Sequence, residues 1–140
     1  MAAVPFDQLD GYIWFNGEFV PWKEAKIHVL THGLHYASGV FEGERAYGGR
    51  VFKLTEHNQR LHRSAEILGF KIPYSVEELD AATIELLKRQ GFADAYVRPI
   101  AWRGSEMMGV SAQNSRINVA IAIWQWGRSE GRRVGKECRS

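Results

Sequence analysis

Tyr96 and Arg98 are the two residues whose types and spacing point most directly to ligand binding. They occur in the run Tyr-Val-Arg-Pro-Ile, and side chains two apart along a strand lie on the same face of its sheet. An arginine offers a fork of donors and a tyrosine one rotatable hydroxyl, so the pair suits a carboxylate ligand. An arginine held at a strand edge by a glutamate or a backbone carbonyl would leave the same pattern, and the residues alone favour neither interpretation.

Arg60 is a second candidate for anion binding. It falls within a segment of helical spacing, where an arginine is ordinarily a solvated surface residue. If that helix borders a cleft, the guanidinium could instead hold a phosphate group.

Three of the five histidines, His28, His32 and His35, crowd into one segment. His32 and His35 could share a metal ion if the segment were helical, yet no carboxylate or cysteine stands beside them at ligand spacing. We therefore predict no metal site and expect these rings to serve in packing and loop hydrogen bonds. Ser38 lies outside any G-x-S-x-G turn and has no identifiable partners for a catalytic triad.

The elements that must position these residues begin with two predicted hairpins. Their turns are Asn16-Gly17 and Gly48-Gly49, which readily adopt the backbone conformation of tight hairpins. Their strands cover 12–15, 18–22, 40–47 and 50–54. The segment between the hairpins, 28–38, has neither helical nor strand periodicity.

Two helices and two longer strands are predicted next. Thr55 is the expected N-cap of the first helix, over 56–68, and Ser75 and Glu78 form a capping box that starts the second, which ends at Gly91. The strands cover 95–103 and 117–126, separated by a loop over 104–116.

This order places the helices in one block among mostly antiparallel strands. It predicts an α+β fold in which two helices pack on one face of the sheet. Alanines alternate with large apolar residues in 117–126, which suggests that the second face of the sheet is covered as well. No alternation of strand and helix and no G-x-G-x-x-G turn supports a dinucleotide-binding fold.

The composition, 140 residues with 45% hydrophobic and 24% charged residues, is that of one globular domain. No apolar run is long enough to span a membrane, and the first residues have neither feature of a signal peptide. The chain has one cysteine, Cys138, which favours a reducing compartment. We therefore expect a cytoplasmic protein without a membrane partner.

The formal net charge of +2 arises from a basic stretch at 128–140. The rest of the chain gives no reason to predict nucleic-acid binding. The stretch has no apolar periodicity, so we expect it to be disordered. We divide the chain into a domain over 1–127 and a tail over 128–140 that is either a cloning or processing remnant or a functional basic segment.

Five motifs, taken together and in order, resemble the N-terminal small domain of branched-chain amino-acid aminotransferases. These are fold-type IV enzymes that use pyridoxal 5'-phosphate. The resemblance extends from about Tyr12 to Gly127. Its motifs lie at 12–18, 32–47, 57–62, 95–100 and 108–110.

The resemblance implies roles for seven residues. Arg60 matches the arginine that holds the cofactor phosphate, Tyr96 a tyrosine that helps to bind the substrate α-carboxylate, and Arg98 the arginine that accepts the side-chain carboxylate of glutamate. The residues that match the pocket wall around an aliphatic side chain are Tyr36, Phe41, Val110 and Trp126. Tyr36 and Val110 are expected to reach into the site of a neighbouring subunit, which implies a homo-oligomer.

The activity implied by the resemblance is transfer of an amino group between leucine, isoleucine or valine and 2-oxoglutarate, as in branched-chain amino acid biosynthesis. The partners would be amino acids and 2-oxo acids. In this family the Schiff-base lysine belongs to a second domain, and none of this chain's lysines lies in a matching motif. The resemblance therefore implies no catalytic residue in this chain and no activity from this chain alone.

Two positions depart from the family pattern. Ser129 stands where the family has a pocket tyrosine, and Glu44 stands where an apolar residue is usual in F-E-G-x-R. Two alternatives remain open. One is another fold-type IV enzyme, such as a D-amino-acid or amine transaminase or an aminodeoxychorismate lyase. The other is a dimerisation module without catalysis, whose exposed apolar surface drives association.

Overall fold

The computed structural model describes residues 4–125, and within them seven antiparallel strands form one sheet. The strands are β1 Tyr12–Phe15, β2 Glu18–Pro21, β3 Gly39–Phe41, β4 Glu44–Tyr47, β5 Arg50–Val51, β6 Ala95–Arg103 and β7 Ile117–Gln125. The helices are α1 His32–Tyr36, α2 Leu54–Ile67 and α3 Val76–Gln90, with short 3-10 turns at Phe6–Gln8 and Trp22–Glu24. The sheet order is β2-β1-β7-β6-β4-β5, with β3 also paired to β6.

Both predicted hairpins are present. Asn16 and Gly17 adopt positive φ angles of 50° and 92°, as the tight turn between β1 and β2 requires. The second hairpin is shorter than predicted, because β5 ends at Val51 and Leu54 already belongs to α2. The prediction of a strand over 50–54 is therefore wrong in its last residues.

The predicted strand over 40–47 is divided into β3 and β4, which lie end to end along one edge of β6. Their pairing with β6 keeps one register, since Phe41 faces Ile100 and Glu44 faces Val97. The division falls opposite Pro99, which has no N–H to donate across the ladder. Glu42 still donates its own N–H to the Pro99 carbonyl at 3.1 Å, so the chain continues its course through the break.

The second long helix begins as predicted and the first does not. At the start of α3, Ser75 and Glu78 each accept from the other's backbone N–H at 3.0 and 2.9 Å, which confirms the capping box. The N-cap of α2 is Lys53, in a left-handed conformation, and not Thr55. The Thr55 hydroxyl instead donates to Asp80 of α3 at 2.6 Å, so a contact between helices has replaced the local cap.

The α2 and α3 helices pack on one face of the sheet, and the predicted α+β class is confirmed. The core between the layers contains fully buried side chains of both, among them Leu61, Leu86 and Ile121. The second face is covered in part, by α1 and the segment before it and by Phe6, which packs against Trp124. Within the described residues this face also carries an open apolar cavity of about 360 Å³, so the prediction that both faces are covered holds there only in part. Within residues 4–125, every helix is too short or too polar to cross a membrane.

Candidate active site

Arg98 and Tyr96 lie side by side on the less covered face of the sheet, as their alternation along β6 predicted. Arg98 donates from Nη2 to the Tyr96 hydroxyl at 2.9 Å. Its Nε is buried and has no hydrogen-bond partner among the described residues. A half-buried guanidinium with an unused donor can accept an anionic ligand.

Phe41 and Gly43 complete the surroundings of this pair from the adjacent edge of the sheet. The Arg98 guanidinium stacks 4.3 Å from the centre of the Phe41 ring, where a cation is attracted by the face of the aromatic ring. A Cβ atom on Gly43 would collide with the Tyr96 hydroxyl. Only glycine therefore lets the phenol lie across this strand and reach Arg98.

Arg60 lies on α2 and is bound to Glu42 by two parallel hydrogen bonds. Its Nε and Nη2 donate to the two carboxylate oxygens at 2.8 and 2.7 Å, and His57 approaches the same carboxylate at 2.7 Å. Burial alone would raise the pKa of Glu42, but the hydrogen bonds from Arg60 and His57 outweigh it and leave that pKa below its usual value. Nη1 of Arg60 stays outside this pairing, and the side chain is 60% exposed, so it can bind a second anion.

Glu44 faces the helices two residues further along the same edge. It is 2% exposed, and neither of its carboxyl oxygens has a hydrogen-bond partner within residues 4–125. Burial, with repulsion from Glu42 and Asp80, raises the pKa of Glu44 to about 8. The group is therefore mainly a neutral carboxylic acid at pH 7.

Tyr36 and Val110 lie in a different place from Phe41, Tyr96 and Arg98. They line one cavity, which His32 also borders. Both side chains are exposed, Tyr36 by 44% and Val110 by 81%. The His32 ring packs against Tyr36 with centres 4.4 Å apart, and it is also hydrogen-bonded to the loop that carries Val110.

The histidine segment forms the short helix α1, which the sequence did not predict. The His32 ring is hydrogen-bonded to the backbone carbonyl of Gly109, and the His35 ring to that of Val29. In the described part of the chain, no three metal-ligating side chains come together. Trp126 and the tail at 128–140 lie outside the described residues.

Sequence reasoning missed Glu42, Gly43 and His57, which hold the proposed ligand-binding residues in place. One signal was available. Glu42 falls on the same face of the predicted strand as the apolar residues Val40 and Ala46, and a charged residue needs a cationic partner when it is buried. Nothing local identifies Arg60 and His57 as those partners, because they lie 18 and 15 residues further along the chain on a separate helix.

This chain is similar in sequence to known aminotransferases. The family described as amino-transferase class IV matches residues 39–139. A protein of Rickettsia felis named probable branched-chain-amino-acid aminotransferase is 48% identical over 122 residues, which are 87% of this chain and 42% of that protein. The branched-chain-amino-acid aminotransferase of Pseudomonas aeruginosa is 46% identical over 126 residues, which are 87% of this chain and 41% of that protein.

A solved structure gives the same likeness in three dimensions. It is the crystal structure of T.th. branched-chain amino acid aminotransferase complexed with N-(5'-phosphopyridoxyl)-L-glutamate. The two chains superpose with a TM-score of 0.81 at 44% identity, over 85% of this chain and 41% of the other. The present chain thus spans about two fifths of the length of the relatives that it matches.

Proposed function

Because the chain belongs to the class IV aminotransferase family, we propose that it is the N-terminal part of a pyridoxal-phosphate-dependent branched-chain-amino-acid aminotransferase. The complete enzyme exchanges an amino group between leucine, isoleucine or valine and 2-oxoglutarate. The names of the relatives support this substrate class. They favour it over a D-amino-acid or amine transaminase and over an aminodeoxychorismate lyase.

The single observation that carries the proposal is the state of Arg98. Its Nε is buried without a partner among the described residues, and the groups around it, Tyr96 and Phe41, are neutral. A carboxylate would supply the missing acceptor and the missing negative charge together. The Tyr96 hydroxyl and the Arg98 guanidinium therefore bind the carboxylates of the amino-acid and 2-oxo-acid substrates.

One pocket must accept both an acidic and an aliphatic side chain. Arg98 accepts the side-chain carboxylate of glutamate, and the adjoining Phe41 ring offers apolar surface to leucine, isoleucine or valine. The family resemblance assigns Tyr36, Val110 and Trp126 to the rest of the aliphatic wall. Tyr36 and Val110 act in the site of a neighbouring subunit, so the active protein is a homo-oligomer.

Arg60 is suited to hold the phosphate of pyridoxal 5'-phosphate. Glu42 occupies one edge of its guanidinium, which fixes the orientation of the group and leaves Nη1 for the phosphate oxygens. When bound, pyridoxal phosphate supplies the electron sink for breaking bonds at the substrate α-carbon. This chain provides anion binding and orientation, and the lysine that carries the cofactor comes from outside it.

A chimeric enzyme tests the proposal. Residues 1–125 are joined to the remainder of the Pseudomonas aeruginosa relative, and amino transfer from L-leucine to 2-oxoglutarate is measured. We expect turnover, and we expect Arg98→Met to raise KM for 2-oxoglutarate at least about tenfold, because a charged hydrogen-bond donor is lost. Arg63→Met removes an arginine from the same helix as Arg60, outside the proposed site, and serves as the control.

Three outcomes would contradict the proposal in different ways. An unchanged KM for 2-oxoglutarate in Arg98→Met would remove the carboxylate-binding role. Turnover of D-alanine or an amine without turnover of L-leucine would identify another class IV enzyme. A folded chimera that binds the cofactor and transfers no amino group would favour a dimerisation module without catalysis.

A further inference from the structure

His32 joins two parts of the chain that are far apart in sequence. The side chain is 3% exposed, and both ring nitrogens have partners. Nδ1 lies 2.6 Å from the Ser38 hydroxyl and Nε2 lies 2.9 Å from the Gly109 carbonyl oxygen, although His32 and Gly109 are 77 residues apart. The backbone N–H of His32 donates to the Gly104 carbonyl in the same loop at 2.9 Å.

The partners of the ring determine where its proton lies. A carbonyl oxygen only accepts hydrogen bonds, so Nε2 carries the hydrogen and donates it to Gly109. The Ser38 hydroxyl can donate or accept, so it donates to Nδ1 of the neutral ring. His32 is therefore held in one tautomer, with its donor directed at the residue before Val110.

A second buried group holds the loop on the other side of Val110. Arg103 is 9% exposed and donates from Nη1 to the Ala112 carbonyl at 2.7 Å. The loop is thus fixed at Gly109 and at Ala112, and Val110 is displayed between them with 81% of its surface exposed. An apolar side chain held outward between two fixed points is placed for contact with another group rather than for the core.

We propose that His32 is a positioning residue that fixes the placement of Val110 relative to Tyr36. Its ring packs on Tyr36, and its Nε2–H holds the carbonyl beside Val110, so the two exposed side chains form one rigid surface. That this surface faces an aliphatic substrate rests on the function proposed above. The positioning itself does not rest on that function.

The tautomer is the first test, made on the wild-type chain by nitrogen NMR of the imidazole. We expect hydrogen on Nε2 and none on Nδ1 when the ring is neutral. The opposite tautomer would overturn the proposal, because Nε2 could not donate to Gly109.

The second test measures backbone nitrogen relaxation over residues 105–113 in the 140-residue chain. In His32→Asn the side chain is too short to reach Gly109, and we expect the order parameters of Val110 and Ser111 to fall from the value of rigid backbone, about 0.85, to that of flexible backbone, below about 0.6. In His32→Gln the amide nitrogen can take the place of Nε2, and we expect the order parameters to return most of the way to the wild-type values. His35→Asn is the matched control, since the His35 ring is hydrogen-bonded to the Val29 carbonyl and not to this loop.

Unchanged order parameters in His32→Asn would overturn the proposal, as would equal losses of order in the Asn and Gln variants. Thermal unfolding of each variant separates a local effect on the loop from a general loss of structure. None of these measurements uses a carboxylate ligand or the cofactor, so their failure is distinguishable from failure of the chimeric enzyme.

Discussion

Glu42 has positively charged neighbours and Glu44 has negatively charged ones, although the two residues lie two apart in sequence along the same side of β6. Both side chains face the helices and both are almost fully buried, at 5% and 2% exposed. Glu42 meets Arg60 and His57 and is ionised, with its pKa lowered. Glu44 has no hydrogen-bond partner in the described part of the chain, and its pKa is raised to about 8.

The comparison shows that burial of a carboxyl group does not decide its charge. The position of α2 over the strand places Arg60 and His57 at Glu42, where they offset the cost of burial. One pleat further on, Glu44 instead lies near Asp80, whose negative charge adds to that cost. Glu42 thus holds a candidate ligand-binding arginine in place. Glu44, in contrast, lowers the stability of the fold at any pH where it is ionised.

The largest expected effect is that of Glu44→Met on stability at alkaline pH. The folded pKa of Glu44 lies above its ordinary value of 4.5. Its favourable contribution is therefore complete below about pH 4.5 and is lost as the pH rises through about 8. Replacing the Glu44 side chain by methionine should therefore raise the free energy of unfolding at pH 9 by about 3–5 kcal/mol relative to wild type.

Urea unfolding between pH 5 and pH 9 measures this difference. Glu44→Gln is the matched variant, since it keeps the size and polarity of the protonated side chain. It should equal wild type near pH 5 and exceed it at pH 9. Parallel pH profiles for the wild type and Glu44→Gln would show that Glu44 does not titrate as described, and the contrast with Glu42 would fail.

Glu42→Gln should act in the opposite direction and to a smaller extent. The carboxylate accepts three hydrogen bonds, which one amide oxygen cannot replace, so we expect a loss of about 1–3 kcal/mol at pH 7. The folded pKa is lowered, so the contribution of Glu42 is present above its ordinary pKa of 4.5 and disappears as the pH falls through the folded value.

The same urea series, extended to pH 3, tests this sign. The deficit of Glu42→Gln should shrink on the acid side, where wild-type Glu42 is protonated too. The Glu42→Gln substitution should also lower the pKa of Glu44, because it removes one source of repulsion. A deficit that stays constant from pH 7 to pH 3 would mean that the ion pair contributes nothing beyond packing.

Local signals predicted the elements of this fold wherever the signal and the structure involve the same few residues. The capping box of Ser75 and Glu78 and the turn at Asn16 and Gly17 are examples, and both are confirmed. The N-cap at Thr55 was wrong because Asp80, on another helix, offers its hydroxyl a better partner. Propensity could not foresee that competition, which depends on how α2 and α3 pack.

The candidate site divides in the same way. Strand alternation alone brought Tyr96 and Arg98 together, and the hydrogen bond between them agrees with it. The pairing of Glu42 with Arg60 depends on where α2 crosses the sheet, and no spacing in the sequence encodes that position. Phe41 and Glu42 are neighbours in an extended stretch whose register is unbroken past Pro99. Their side chains therefore point to opposite faces of the sheet and contact different arginines.

The smallest expected effect separates charge from geometry at Glu42. Arg60→Lys keeps a positive charge near the carboxylate but cannot make two parallel hydrogen bonds. Because Arg60 is 60% exposed, we expect the free energy of unfolding to fall by less than about 1 kcal/mol.

The pKa of Glu42 should stay below its ordinary value in Arg60→Lys and rise in Arg60→Met, since the methionine removes the charge as well. Carbon NMR of the Glu42 carboxyl through an acid titration measures both, and equal shifts in the two variants would show that the paired hydrogen bonds, and not the charge, keep Glu42 ionised.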